Sequence, residues 1–282
     1  MMIGVLHPGE MGAAVAACLV GRGGTVLWAS AGRSKATADR ADAVALTDAG
    51  TTQELVRRSD VVFSVCPPHG ALDVARSVAG FRGIFVDANA VSPDTAREIR
   101  AVVETGGARF VDGGIIGPPP GPSAIARLYV CGEDAAAVAE LFEHTPVDAR
   151  VVDGEPGAAS ALKMAYAAWT KGTSALLLAV RAAARTYRVE EALLDEWAIP
   201  LPELPKRSLR AAQSAGTKGW RWVAEMEQIA ATLAAAGLPD GFHRAAADVF
   251  GRIPRMAAEE EGGRMLDAVI ETVRRPVATG KT

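Results

Sequence analysis

The chain has 282 residues, is 49% hydrophobic and 5% aromatic, and carries a net charge of -3. That length suits two domains or one large one, and the charge argues against a nucleic-acid binder, which usually shows a basic face. Three cysteines without a C-x-x-C pair and four histidines without ligand spacing suggest no disulfide framework and no metal. With no signal-peptide pattern and no apolar run near the ~18 residues of a membrane span, the expectation is a cytoplasmic, soluble protein in a reducing compartment.

In chain order, Ile3-Gly4-Val5-Leu6 reads as a buried strand and His7-Pro8-Gly9-Glu10 as a break. The apolar run from Met11 through Val20 reads as a helix, stopped by Gly21, Gly23 and Gly24. Strand, glycine turn and helix is how a dinucleotide-binding βαβ unit begins. Gly9 would let the backbone approach a pyrophosphate, and Gly12 would let the helix pack on the strand. The helix N-terminus at Glu10 and Met11 would offer N–H groups to phosphate. The usual fingerprint has a glycine where this chain has His7.

Thr25-Val26-Leu27-Trp28 reads as the second strand. No acid follows it to hold a ribose 2′-hydroxyl, whereas Ser30, Arg33 and Ser34 can serve a 2′-phosphate. The expected cofactor is therefore NADP rather than NAD; the alternative is that Arg33 is an ordinary surface arginine. Helices over Arg33–Ala43 and Thr51–Arg58 precede the apolar strand from Asp60 to Val65, which Cys66-Pro67-Pro68 stops. Open α/β sheets bind ligands beyond the carboxyl ends of their strands, so this turn and the one holding Asn89, after the strand Gly83–Asp87, are expected to line the cleft. His69 reads as a surface residue. A strand at Arg109–Asp112 is followed by a Gly/Pro-rich loop, Gly113–Gly121, and strands at Leu128–Gly132 and Ala149–Val152 complete the alternation.

Past the break Asp153–Gly157 the strand signals vanish. Ala158 to about Tyr187 reads as one long helix. Further helices are expected at Glu190–Trp197 and, beyond Pro200, Pro202 and Pro205, near Trp220–Ala236, Gly241–Phe250 and Met265–Arg274. The fold expected is α/β. A Rossmann-type, doubly wound, mostly parallel sheet (residues 1–153) joins an all-α C-terminal domain (154–282) through a long interdomain helix. At about 100° per residue, Lys163, Tyr166, Ala167, Thr170 and Ser174 share one stripe of that helix. Lys163 either lines a cleft beside the cofactor, where burial would suit it to proton transfer, or snorkels at the helix edge. Trp169, Trp197, Trp220 and Trp222 either line a pocket or pack helices, and His243 reads as a lone helical histidine.

These segments resemble the β-hydroxyacid dehydrogenase family, which includes 3-hydroxyisobutyrate and 6-phosphogluconate dehydrogenases. The family's opening G-x-I-G-x-G-x-M-G is similar to Gly4–Gly12, its D-x-S-T-x-x-P turn to Asp87–Pro93, its substrate loop D-A-P-V-S-G-G to Asp112–Pro118, and its catalytic G-x-G-x-x-x-K to Gly157–Lys163. The last 90 or so residues resemble the helical domain of a poorly characterised branch related to 6-phosphogluconate dehydrogenases. The resemblance implies hydride transfer between a nicotinamide and a small hydroxy-acid-like alcohol or carbonyl. Lys163 would exchange the proton, Tyr166 would assist, Ile116, Gly117 and Thr170 would lie beside substrate, and the helical domain would form a homodimer. The chain departs from the pattern at His7, at Ile116 in place of the loop serine, and at Ala167 in place of an asparagine. The serine and asparagine contact substrate in the family, so their loss leaves a non-catalytic NADP-binding redox sensor as one alternative; the other is imine reduction, practised by relatives on the same scaffold that usually replace the lysine retained here.

Overall fold

The computed structural model describes residues 1–257 and 262–274. Eight strands form one sheet: β1 (Met2–Val5), β2 (Thr25–Trp28), β3 (Thr47–Asp48), β4 (Val61–Ser64), β5 (Ile84–Asp87), β6 (Arg109–Ile116), β7 (Ala126–Cys131) and β8 (Val147–Val151). Their spatial order is β3-β2-β1-β4-β5-β6-β7-β8. Every neighbouring pair is parallel except β6 and β7. Between them run α1 (Glu10–Gly21), α2 (Lys35–Ala43), α3 (Thr52–Arg58), α4 (Ala71–Ser77), α5 (Pro93–Thr105) and α6 (Ala135–Glu140).

The near-continuous apolar strands follow from burial on both faces. In β4, Val61 and Phe63 join a core with Val15, Leu19 and Phe142, while Val62 joins another with Leu55 and Phe85. Three helix starts, those of α2, α3 and α5, are capped by side chains. The hydroxyls of Ser34, Thr51 and Ser92 accept the N–H of Thr37, Glu54 and Thr95.

Two of the helices lie where the sequence puts them and one is much longer. α7 runs over Ala158–Thr186 and α8 over Glu190–Ala198. α9 spans Leu204–Ala235, some fifteen residues earlier than the sequence suggests. Pro205 sits in its first turn, where a missing N–H costs nothing, so that proline starts a helix instead of interrupting one. α10 (Gly241–Gly251) and α11 (Gly262–Arg274) both pack against α9.

The chain divides into two compact units, Met1–Met164 and Ala165 onward. The division falls inside α7 and not at the Asp153–Gly157 break. The reason is local: the first two turns of α7 pack on β6, as described below. In the helical unit Trp222 stacks edge-on against Phe250, ring centroids 5.0 Å apart, so this tryptophan packs helices. Arg181, almost fully buried, is satisfied by Glu190 and by the Ser208 hydroxyl at 2.8 Å.

Candidate cofactor and substrate site

The turn between β1 and α1 is as tight as the glycines require. A Cβ on Gly12 would lie 2.3 Å from the His7 carbonyl oxygen, so helix and strand could not approach as they do. A Cβ on Gly9 would meet nothing within 4 Å, which leaves open space over the turn. Gly9 is the N-cap of α1 and no side chain caps the helix. An uncapped twelve-residue helix N-terminus facing open space fits a phosphate group. Met11 is half-buried against the sheet core, so its side chain packs while its backbone faces the turn. Burial, and secondarily Arg33, push His7 down to about 4, so its ring is neutral near pH 7.

Arg33 folds back over this turn, its guanidinium 3.4 Å from the Leu6 carbonyl. Arg40, which the sequence reading passed over, reaches within 3.4 Å of the Pro8 carbonyl. Both carry positive charge beside the β1–α1 turn, and Arg40 was legible only as one polar position on α2. Two expectations here are revised. Ser34 spends its hydroxyl on capping α2. An acid does reach this corner, from the neighbouring strand: Asp48 accepts the backbone N–H of Ser30 at 3.2 Å and of Gly50 at 2.7 Å.

The row at the carboxyl end of the sheet runs Ser64, Asp87, Asp112, paired in register across β4, β5 and β6. Asn89 was expected to face the cleft. It is 2% exposed instead and braces the turns. Its amide donates to the Ser64 hydroxyl at 2.9 Å and to Asp87, and its carbonyl accepts the N–H of Cys66. Cys66 and the exposed Pro67 form the β4 turn, with Pro68 opening a short 3-10 segment that ends at Gly70; His69 is exposed on it. Burial, reinforced by Asp87, pushes the Cys66 thiol up to about 12, so it stays protonated. Asp87 is wholly buried; desolvation, then the charge of Asp112, raises it to about 8.

The Gly113–Gly121 stretch was expected to be loop from its first residue. β6 continues through it to Ile116, paired antiparallel with β7. The absent side chains serve packing: a Cβ on Gly114 would lie 2.8 Å from the Ala159 carbonyl oxygen and 2.9 Å from Lys163 Cβ. Lys163, half-buried, therefore stands against Gly114, two residues beyond the Asp112 row. Ile116 is 3% exposed within the sheet, and Gly117 ends the strand at a φ of +122°. Asp112 holds the start of α7, accepting the N–H of Gly157 and of Ser160, both at 3.0 Å, and the Ser160 hydroxyl at 2.6 Å.

Beyond the division, Tyr166 is 46% exposed and Ala167 is buried. The hydroxyls of Thr170 and Ser174 bond back to the Tyr166 and Thr170 carbonyls, each at 3.0 Å. The polar stripe expected along α7 is thus partly spent on the helix's own backbone. A cavity of about 330 Å³ opens between α7, α9 and α10, lined by Ala168, Gly172, Leu176, Leu233, Phe242 and His243. Those α7 positions lie roughly opposite the Lys163 stripe. His243 bonds the Ala168 carbonyl through Nε2 at 3.2 Å, an arrangement that makes Nε2 the donor.

Fold and turn together define a class: a Rossmann-type, mostly parallel sheet followed by a helical region. Residues 2–91 match the family described as NADP oxidoreductase, coenzyme F420-dependent, and residues 184–253 match a domain of unknown function, DUF1932. An uncharacterised 28.5 kDa protein of Methanothermus fervidus, from a 7S RNA 5′ region, is 33% identical over 167 residues, 58% of this chain and 63% of its own length. The mitochondrial 3-hydroxyisobutyrate dehydrogenase of Drosophila melanogaster is 28% identical over 135 residues, 46% of this chain and 41% of its own. The chain thus spans less than two thirds of either curated relative. A conserved protein of unknown function, whose solved structure is described as similar to 3-hydroxyacid dehydrogenases, matches at 26% identity and a TM-score of 0.66, covering 97% of both chains. In fold the chain is similar to the 3-hydroxyacid dehydrogenases, and part of its sequence is similar to a 3-hydroxyisobutyrate dehydrogenase.

Proposed function

We propose that the protein is an NADP-dependent oxidoreductase that transfers hydride between the nicotinamide and a small alcohol or carbonyl substrate bearing a carboxylate or similar polar handle. The reading rests on one observation: Lys163 stands against Gly114 at the carboxyl end of β6, in the same compact unit as the β1–α1 turn. Carboxyl strand ends are where open α/β sheets hold ligands. When bound, the cofactor would supply the redox step.

The chain's own residues do the rest. The backbone of Gly9, Glu10, Met11 and Gly12 receives the phosphates, and Arg33 and Arg40 receive the 2′-phosphate. Ser30 contributes from the β2 end, and the Cys66-Pro67-Pro68 turn walls the cleft. Lys163 Nζ gives a proton to the substrate oxygen in reduction and takes it back in oxidation. Tyr166 and Thr170 follow on the same helix, with Gly117 leading the loop beside substrate. The exposed apolar side chains of Trp169, Leu176 and Phe242 support self-association through the helical unit, which sedimentation velocity would read as a dimer.

The test is Lys163→Ala, assayed by NADPH oxidation against a panel of keto acids, ketones and cyclic imines. A positioned acid or base contributes about 10²–10⁴ in rate. Turnover should fall by that factor while NADPH affinity, read by fluorescence titration, holds. Equal loss of both would make Lys163 structural. Tight NADPH binding with no turnover on any substrate would favour the redox-sensor reading.

A further inference from the structure

We propose that Asp112 is a positioning residue for Lys163: its carboxylate clasps the first turn of α7 and so sets where the lysine stands over β6. The inference rests on the role given to Lys163 above. Three donors converge on this one carboxylate, two backbone N–H groups of the helix start and the Ser160 hydroxyl. Gly157, which supplies one of them, has a φ of +108°, so the chain enters the helix through a backbone conformation that side chains rarely adopt. A carboxylate at that end also meets the positive pole of the helix.

The clasp and the lysine are mechanically linked. Ser160 and Lys163 are one turn apart on α7, and Asp112 and Gly114 are two residues apart on β6. Helix and strand therefore meet at two points on the same stretch: Asp112 with Gly157 and Ser160, and Gly114 with Ala159 and Lys163. Loosening the first point frees the helix to rotate or rise about the second. Asp87, in register beside Asp112, is the group that faces it from β5. Asp87 takes donors from Asn89 alone and leaves its Oδ2 without a partner, whereas Asp112 takes the donors of the helix start; burial pushes both carboxyls up, and the donor set favours the negative charge on Asp112.

The experiment compares Asp112→Asn, Asp112→Ala and Ser160→Ala with the parent chain. Turnover and NADPH affinity are measured, together with the ¹³C resonance of Lys163 after reductive methylation. The chain has six lysines, and the Lys163→Arg variant identifies the signal. This resonance needs no cofactor and no substrate. A displacement near 1 Å costs about 100-fold in rate, so Asp112→Ala should lose roughly 10- to 100-fold in turnover with NADPH affinity unchanged. Asp112→Asn should recover part of that, Ser160→Ala should lose a few-fold, and the Lys163 resonance should move in the same order. Wild-type turnover and an unmoved resonance in Asp112→Asn and Ser160→Ala would overturn the proposal. So would a loss of NADPH affinity matching the loss of turnover. If Asp112→Ala does not fold, Ser160→Ala decides, since it keeps the charge and both backbone bonds. Full activity in Lys163→Ala would sink the functional reading itself. Activity lost there but kept in the clasp variants would sink only the positioning role.

Discussion

Alanine at Gly114 puts a single methyl group between β6 and the helix that carries Lys163. Built on the backbone, that methyl lies 2.8 Å from the Ala159 carbonyl oxygen and 2.9 Å from Lys163 Cβ, about half an ångström short of ordinary contact on both sides. Neither neighbour is a flexible side-chain tip, so helix or strand must shift. Overpacking of this kind costs about 1–3 kcal/mol. For a unit of this size that is a fall of roughly 3–10 °C in melting midpoint. A shift of half an ångström, on a scale of about 100-fold per ångström, lowers turnover about tenfold. NADPH affinity should hold, because the β1–α1 turn proposed to receive the phosphates does not touch this contact. Thermal unfolding followed by circular dichroism and initial rates of NADPH oxidation read both effects. An unchanged midpoint would refute the packing argument. A lowered midpoint with parental turnover would refute the claim that this contact sets the lysine.

Gly9→Ala is the opposite case: its methyl meets no protein atom within 4 Å, so the midpoint should stay within about 1 °C of the parent while NADPH affinity falls at least tenfold in a fluorescence titration. Arg33→Ala and Arg40→Ala should each weaken NADPH by about 10- to 100-fold, the worth of a charge-assisted hydrogen bond, and leave NADH binding nearly untouched; equal losses for both cofactors would remove the 2′-phosphate from the argument. Stability should also vary with pH in a stated direction. The Asp87 contribution, with the group raised from 3.8 to about 8, is present below the lower value and lost as pH rises through the upper one. The His7 contribution, with the ring lowered from 6.5 to about 4, is present above 6.5 and lost as pH falls toward 4. Between pH 6.5 and 8 the His7 contribution is constant while the Asp87 contribution declines, so the melting midpoint should fall across that window. Asp87→Asn, which mimics the neutral carboxyl, should flatten the fall; a slope unchanged in that variant would show that another group is responsible.

The alternation of strands and helices was legible because buried parallel strands are apolar on both faces, as at Val61-Val62-Phe63. The β1–α1 turn was legible because only glycine tolerates the approach of Gly12 to His7. What escaped has a common physical cause. Gly113 and Gly114 look like loop in a one-dimensional reading; their role appears only when the end of β5 lies against Gly113 and a helix about forty-five residues downstream lies on Gly114. Asn89 is polar at a strand end, which reads as a ligand contact; its partners Ser64, Cys66 and Asp87 come from two strands that only the sheet order makes neighbours. Arg40 reaches the β1–α1 turn from α2 and Asp48 reaches Ser30 from β3, and no local spacing encodes either approach.

The single inversion of direction in the sheet decides where this architecture can diversify. Because β7 runs back along β6, the connection between them, residues 117–125, must turn at the same edge as the Gly9, Cys66 and Asn89 bends. Had the two strands run in the same direction, a crossover would have carried the chain away to the far edge. A short proline-laced bend with Ile125 turned to solvent can change length or chemistry without disturbing a ladder bond on the parallel side. Relatives that share the scaffold could therefore accept different reactants by rewriting one hairpin tip.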